Sequence, residues 1–209
     1  MTKQIAGISV PDSRLAREAT EQVRDCESQL LFDHSLRVYF FGSLRGRQRG
    51  WVFDSELLYL GAMFHDVGLT EKYRSLHDRF EVDGANAARE FLGRHEIAES
   101  AIDLVWDAIA LHTTPDIPWH KRLKVALVTA GVEMDVLGLG FAEVSEDSPK
   151  TVAAHFGILT LLTRRCRRTL KSAASIYCAP STMSWTSPQG RGDWYASFDY
   201  APKVRAARG

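Results

Sequence analysis

The chain has 209 residues, 45% of them hydrophobic and 25% charged, an ordinary globular composition with length enough for one sizeable core. Its 26 basic and 26 acidic residues cancel, which argues against a nucleic-acid binder that works by bulk electrostatics. No run approaches the ~18 apolar residues of a membrane span, and MTKQIAGISVPDS lacks the basic-then-apolar layout of a secretory signal, so a cytoplasmic protein is expected.

The first 140 residues read as helix after helix. Pro11-Asp12-Ser13 is a start signal for a first helix over LAREATEQVRDCESQLL, where Leu15, Ala19 and Val23 keep one apolar stripe. A second carries His34 through Leu44, with Gly46 and Gly50 as breakers. Asp54-Ser55-Glu56 opens a third, LLYLGAMFHDVGL, apolar on nearly every face and therefore predicted to be the central buried helix. Val82–Leu92 and Ile97–His112 are the fourth and fifth, and Pro115 and Pro118 close the fifth. Lys121–Leu137 is the sixth. Strand signals are sparse and no repeat is visible, so the expected fold is all-α, a compact multi-helix bundle.

The last third differs. Pro149-Lys150 opens a further helix, TVAAHFGILTLLTRRCRRTL. From Thr160 to Gly209 there are nine basic and two acidic residues, a net +7, which leaves residues 1–159 at −7. The division expected is a catalytic body over 1–159 and a basic tail over 160–209, rich in Ser, Ala, Pro and Gly. Cys26, Cys166 and Cys178 are odd in number and form no C-x-x-C pair, so they are read as free thiols.

Four helices each bring an imidazole or a carboxylate out of apolar surroundings. His34 lies in the second, His65-Asp66 ends the third, His112 ends the fifth, and Asp135 lies in AGVEMDVLG of the sixth. Buried imidazoles and carboxylates are costly unless paired or bound to metal, and such convergence is what a bundle-core metal site requires.

These residues resemble the HD-domain metal-dependent hydrolase superfamily over roughly residues 12–140. The strings HSLRVYFFG, FHDVGLT, RFEVDGANAAREFL, AIALHTT and GVEMDVLG, in that order, look like its cyanamide hydratase branch. The resemblance implies metal ligands at His34, His65, Asp66 and Asp135. It also implies a core site for one divalent ion and hydration of the nitrile of cyanamide, or a similar small nitrile, to urea. Two imidazoles and two carboxylates suit Zn²⁺, with Mn²⁺ or Fe²⁺ compatible, better than Mg²⁺. His112, with the Thr113 hydroxyl, is the candidate proton donor or orienting group. Arg37, Glu81 and Asp83 are candidate supports that hold or orient those ligands.

Many two-metal members carry a further histidine in an H-x-x-x-G-A string. Here it reads Phe80-Glu81-Val82-Asp83-Gly84-Ala85, so one metal is expected. The resemblance fades near Thr160, where a shifted reading frame would also give the change in composition. Two other readings stand beside the hydratase: an HD phosphohydrolase acting on a nucleotide or small phosphomonoester, and a non-catalytic HD-like binding module. Lys72 and Arg74 lie near the HD pair, although Leu69 stands where many phosphohydrolases have lysine. No membrane or nucleic-acid partner is expected, and the apolar helices permit a homo-oligomer.

Overall fold

The computed structural model describes residues 4–144 and 147–156. The residues that follow Phe156, including most of the predicted last helix and all of the basic tail, lie outside the described part. Among the described residues a short antiparallel hairpin, β1 (Gln4–Ile5) and β2 (Ile8–Ser9), precedes seven α-helices. These are α1 (Arg14–Arg24), α2 (Gln29–Gln48), α3 (Ser55–Phe64), α4 (Phe80–Arg94), α5 (Glu99–Ala110), α6 (Leu123–Val132) and α7 (Asp147–Phe156). The all-α expectation holds. The hairpin is too short for a period-two signal and was not legible in the sequence.

Capping fixes the helix starts. The Ser13 side chain accepts from Ala16 N at 2.9 Å, and Asp54 Oδ1 accepts from the amides of Glu56 and Leu57. The single first helix expected from Leu15 to Leu31 is two: α1 stops at Arg24, and Ser28 caps α2 by accepting from Leu31 N. Gly46 does not break α2, which runs on to Gln48.

Helix α3 is the centre of the bundle. Every residue from Leu57 to Phe64 is buried, as its all-round apolar pattern requires. α2 packs on one side of it and α5 on another, while the α4–α5 pair and α6 complete the wall. The expected sixth helix changes character near its end: α6 gives way at Glu133–Leu137 to a π-helical turn, closed by Gly138 at φ 70°. Such turns occur chiefly as single-turn insertions at functional sites, because the wider ring re-aims side chains.

The seam between α2 and α6 is drawn tight by missing side chains. A Cβ on Gly42 would lie 2.5 Å from the Leu127 carbonyl oxygen, and one on Gly131 would strike the carbonyl of Val38. Only glycine permits this approach of two backbones. The pairing runs antiparallel, and it carries the end of α6 back to the start of α2, where His34 lies.

A candidate metal centre

His65 and Asp66 follow directly on α3 and are completely buried. His34 projects from the first turns of α2, and His112 from just beyond α5. One ligand atom from each of His34, His65 and Asp66 lies within 4.8 Å of the others, which defines a buried cluster able to hold a metal ion.

Hydrogen bonds fix the tautomers of the rings. His65 Nδ1 is 2.7 Å from the Ala62 carbonyl, and His112 Nδ1 is 2.6 Å from the Ile109 carbonyl. A carbonyl only accepts, so each Nδ1 carries the proton and each neutral ring presents a lone pair at Nε2. His34 Nδ1 lies 2.6 Å from Asp135 Oδ2, which assigns its proton in the same way. The three Nε2 atoms then point inward. His34 Nε2 and His65 Nε2 are 3.2 Å apart, and Asp66 Oδ2 is 3.2 Å from the second and 3.6 Å from the first. His112 Nε2 approaches Asp66 Oδ1 at 3.6 Å.

Lone pairs and a carboxylate facing one another repel unless a positive charge lies between them. One proton shared by His34 and His65 would answer that contact alone. Both Asp66 oxygens and His112 Nε2 would still lack a hydrogen-bond partner. A divalent ion answers all of them. Zinc bonds of about 2.0–2.1 Å to nitrogen and oxygen set tetrahedral ligand separations of about 3.3 Å, close to the 3.2, 3.2 and 3.6 Å observed. The residues therefore fit a metal ion.

The electrostatics agree. Burial alone would raise the Asp66 pKa, but His65, with His112 and His34 around it, holds it well below the usual carboxylate range. Burial would lower the His65 pKa, yet the neighbouring Asp66 charge keeps it raised. His112 is depressed by burial. A carboxylate this deep selects for a cation beside it.

Asp135 stands behind the cluster. Its two oxygens accept from His34 Nδ1 at 2.6 Å and from Arg37 Nε at 2.8 Å. These bonds hold its carboxyl below the ordinary value despite burial. In this arrangement it orients His34, the carboxylate–histidine–metal relation, and does not face the other ligand atoms. Arg37 is 1% exposed and grips Asp135, one of the buried carboxylates.

The remaining candidates lie to one side. Glu81 accepts from the Thr113 hydroxyl and from Nε and Nη2 of Arg79, so it fixes the residue next to His112. Those two partners outweigh burial and lower its pKa. Asp83 accepts from Ser75 N at 2.7 Å, which ties the 70–79 loop to α4. Phe80, in place of the second-metal histidine, sets its ring edge-on to His112 at 5.7 Å. The aromatic residues Phe40, Phe41 and Phe64 are buried in the core, and Trp106 is partly buried against it.

Sequence reasoning missed Glu27. It is 8% exposed, lies between α1 and α2, and interacts electrostatically with His65 and Asp66. The signal available was Ser28 as a helix cap, which would have placed Glu27 in a connection and not on a helix face.

Residues 31–133 match the HD domain family. The matched span includes His34, His65, Asp66 and His112 and stops two residues before Asp135. Two proteins of Saccharomyces cerevisiae, cyanamide hydratases DDI2 and DDI3, are each 30% identical over 115 residues, 51% of this chain and 49% of theirs. The aligned part therefore spans about half the length of these curated relatives. No described helix is long and apolar enough to cross a membrane.

Proposed function

We propose that this HD-domain chain is a metal-dependent hydrolase, with its reaction centre at His34, His65 and Asp66. The observation that carries it is the inward convergence of imidazole lone pairs on a completely buried carboxylate whose oxygens accept no hydrogen bond. Bound there, a divalent ion would lower the pKa of a water to about 7 and polarise a small electrophile.

The chain's own residues supply the rest. Asp135, locked by Arg37, keeps the His34 lone pair aimed inward. The Ala62 and Ile109 carbonyls do the same for His65 and His112. With its Nδ1 proton committed to Ile109, His112 offers Nε2 as an acceptor or fourth ligand, which suits the orienting role of the two expected from the sequence. Thr113 reaches the site's flank with its hydroxyl held by Glu81. The apolar walls around α3 exclude water from the reacting atoms.

Two substrate classes follow. The HD domain match supports hydrolysis at large, phosphomonoesters of nucleotides included, more broadly than it supports any one substrate. The narrower reading is hydration of the nitrile of cyanamide, which rests on the two yeast relatives. The family match is the broader support, so the phosphomonoester class is tested beside the nitrile; Arg37 and Arg79, on the elements around the site, each hold a carboxylate of the chain. Zinc is the ion best matched to the donor set, with Mn²⁺ and Fe²⁺ compatible.

The test is a panel. Metal content of the purified protein is measured, then urea release from cyanamide and phosphate release from nucleoside monophosphates, for the wild type and His65→Ala. Metal-dependent turnover of either substrate, abolished by the substitution, is the expected result. Equal rates in both proteins overturn the hydrolase reading, and a wild type that binds no divalent ion points to a binding module.

A further inference from the structure

The C-terminal end of α2 carries cations that the metal centre does not use. Arg45, Arg47 and Arg49 alternate there, and Trp51 follows. Arg47 donates to the Gly7 carbonyl at 2.8 Å and so serves the hairpin. Arg45 and Arg49 converge instead. Nη1 of Arg45 lies 2.7 Å from Glu143 Oε2, and Nη2 of Arg49 lies 3.5 Å from the same oxygen. Arg45 stands three helical turns along α2 from His34, about 16 Å by helical rise, so this cluster is separate from the metal centre.

The donors are held in place before any ligand arrives. Arg45 is buried, and the Arg49 side chain is only 16% exposed. The Arg49 guanidinium lies over the Trp51 ring at 5.2 Å and over the Trp119 ring at 5.6 Å. A Cβ on Gly140 would lie 2.6 Å from Arg45 Cζ, so only glycine lets that turn lie directly on the guanidinium. Glu133, in the π-helical turn, is the other carboxylate that acts on Arg45. Trp119 Nε1, buried near Glu133, makes no hydrogen bond among the described residues.

Glu143 is a poor match for so many donors. Two guanidinium forks, each able to engage both oxygens of an anion, meet on one oxygen of one carboxylate, through one short contact and one long. The Glu143 side chain is 47% exposed, on the turn Phe141–Glu143 that follows Gly138 and Gly140, both left-handed. An ion pair so open to water contributes little, so its exchange for another anion costs little. A phosphate group presents about two charges and three strong acceptor oxygens, enough to serve Arg45, Arg49 and the Trp119 indole separately.

We propose that Arg45 and Arg49 form a second binding site, apart from the metal centre, for a phosphate-bearing small molecule, and that Glu143 is an internal stand-in displaced by that ligand. The site does not depend on the hydrolase reading above.

Inorganic phosphate is the probe, titrated calorimetrically into full-length wild type, Arg49→Gln and Glu143→Gln at constant ionic strength set with chloride. Neither substitution touches the metal centre, so phosphate held there binds alike in all three proteins. Glu143→Gln removes the internal competitor and should tighten binding a few-fold. Arg49→Gln should weaken it at least about 10-fold, the scale of a lost hydrogen bond to a charged group. Phosphate should also change the tryptophan fluorescence of the wild type, through Trp51 and Trp119, and leave that of Arg49→Gln unchanged. Equal affinities in the three proteins overturn the proposal, and so does an absence of binding by Glu143→Gln at millimolar phosphate. A lower Tm in Glu143→Gln with no gain in affinity also overturns it, because the ion pair is then a clasp for the turn. If Arg49→Gln does not fold, the comparison of wild type with Glu143→Gln decides alone.

Discussion

The seam between α2 and α6 changes character along its length. Between Val38 and Gly46 the two backbones close on each other, with Gly42 against Leu127 and Gly131 against Val38. At the other end, His34 and Arg37 meet Asp135 across hydrogen bonds, and α6 has opened into a π-helical turn. The two stretches divide the labour. The glycine-packed part sets the distance and register of the helices, and the polar part uses that register to place a carboxylate behind a ligand histidine. Packing energy holds the chain together, and the polar end adds chemistry at some cost in stability.

The largest expected effect lies beyond the seam, at the centre it supports. His65→Ala should bring metal binding below detection and lower turnover at least 1,000-fold, read by metal analysis and initial rates, a loss on the scale that removal of an essential catalytic group produces. The metal-free protein should still melt cooperatively. If it does not fold, the centre is part of the packing and the division of labour is wrong.

Next is the close-packed stretch. Gly131→Ala forces α6 away from the Val38 carbonyl, at a cost of about 1–3 kcal/mol or more for such overpacking. A fall in Tm of about 3–10 °C, by thermal melting, is expected for a chain of this size. Because the same displacement carries Asp135 away from His34, Zn²⁺ affinity should fall too. An unchanged affinity would uncouple the two ends.

Asp135→Asn tests the polar end alone. Loss of the carboxylate behind His34 should weaken Zn²⁺ binding about 10- to 100-fold, by calorimetry, with Tm within a few degrees of wild type. Unfolding in place of weaker binding would show that the polar end is structural.

The smallest effect is a pH dependence. The folded-state pKa of Glu27 is raised from its ordinary 4.5 to about 8, so the folded state prefers the protonated form. The stability this contributes is complete below about pH 4.5 and lost as pH rises through about 8. Metal-free wild type should lose several degrees of Tm relative to Glu27→Gln between pH 5 and 8. Parallel melting curves would show that Glu27 ionises as freely in the folded state as in the unfolded chain.

How much was legible varies by residue. His65-Asp66 at the end of an all-round apolar helix is readable, because a buried charge advertises itself against such a background. His34 and His112 are readable with it, since each follows an apolar helical stripe. Asp135 was legible as a buried carboxylate, but whether it faces the ligand atoms or the back of His34 depends on the π turn, which leaves no periodic trace. Glu27 was hidden for the same reason: the spacing over CESQLL continues a helix, and only the observed break at residues 25–28 turns its side chain inward.

The sequence by itself determined the helices, their buried faces and the residue types able to hold a cation, because these follow from local periodicity and from the cost of burying charge. Tertiary structure alone decided which nitrogen of each ring points inward, which carboxylate backs which histidine, and that Glu27 is buried between α1 and α2. Those choices are made by helix-end carbonyls, and by glycine contacts and side chains brought together from distant parts of the chain, and no periodic pattern encodes such distances.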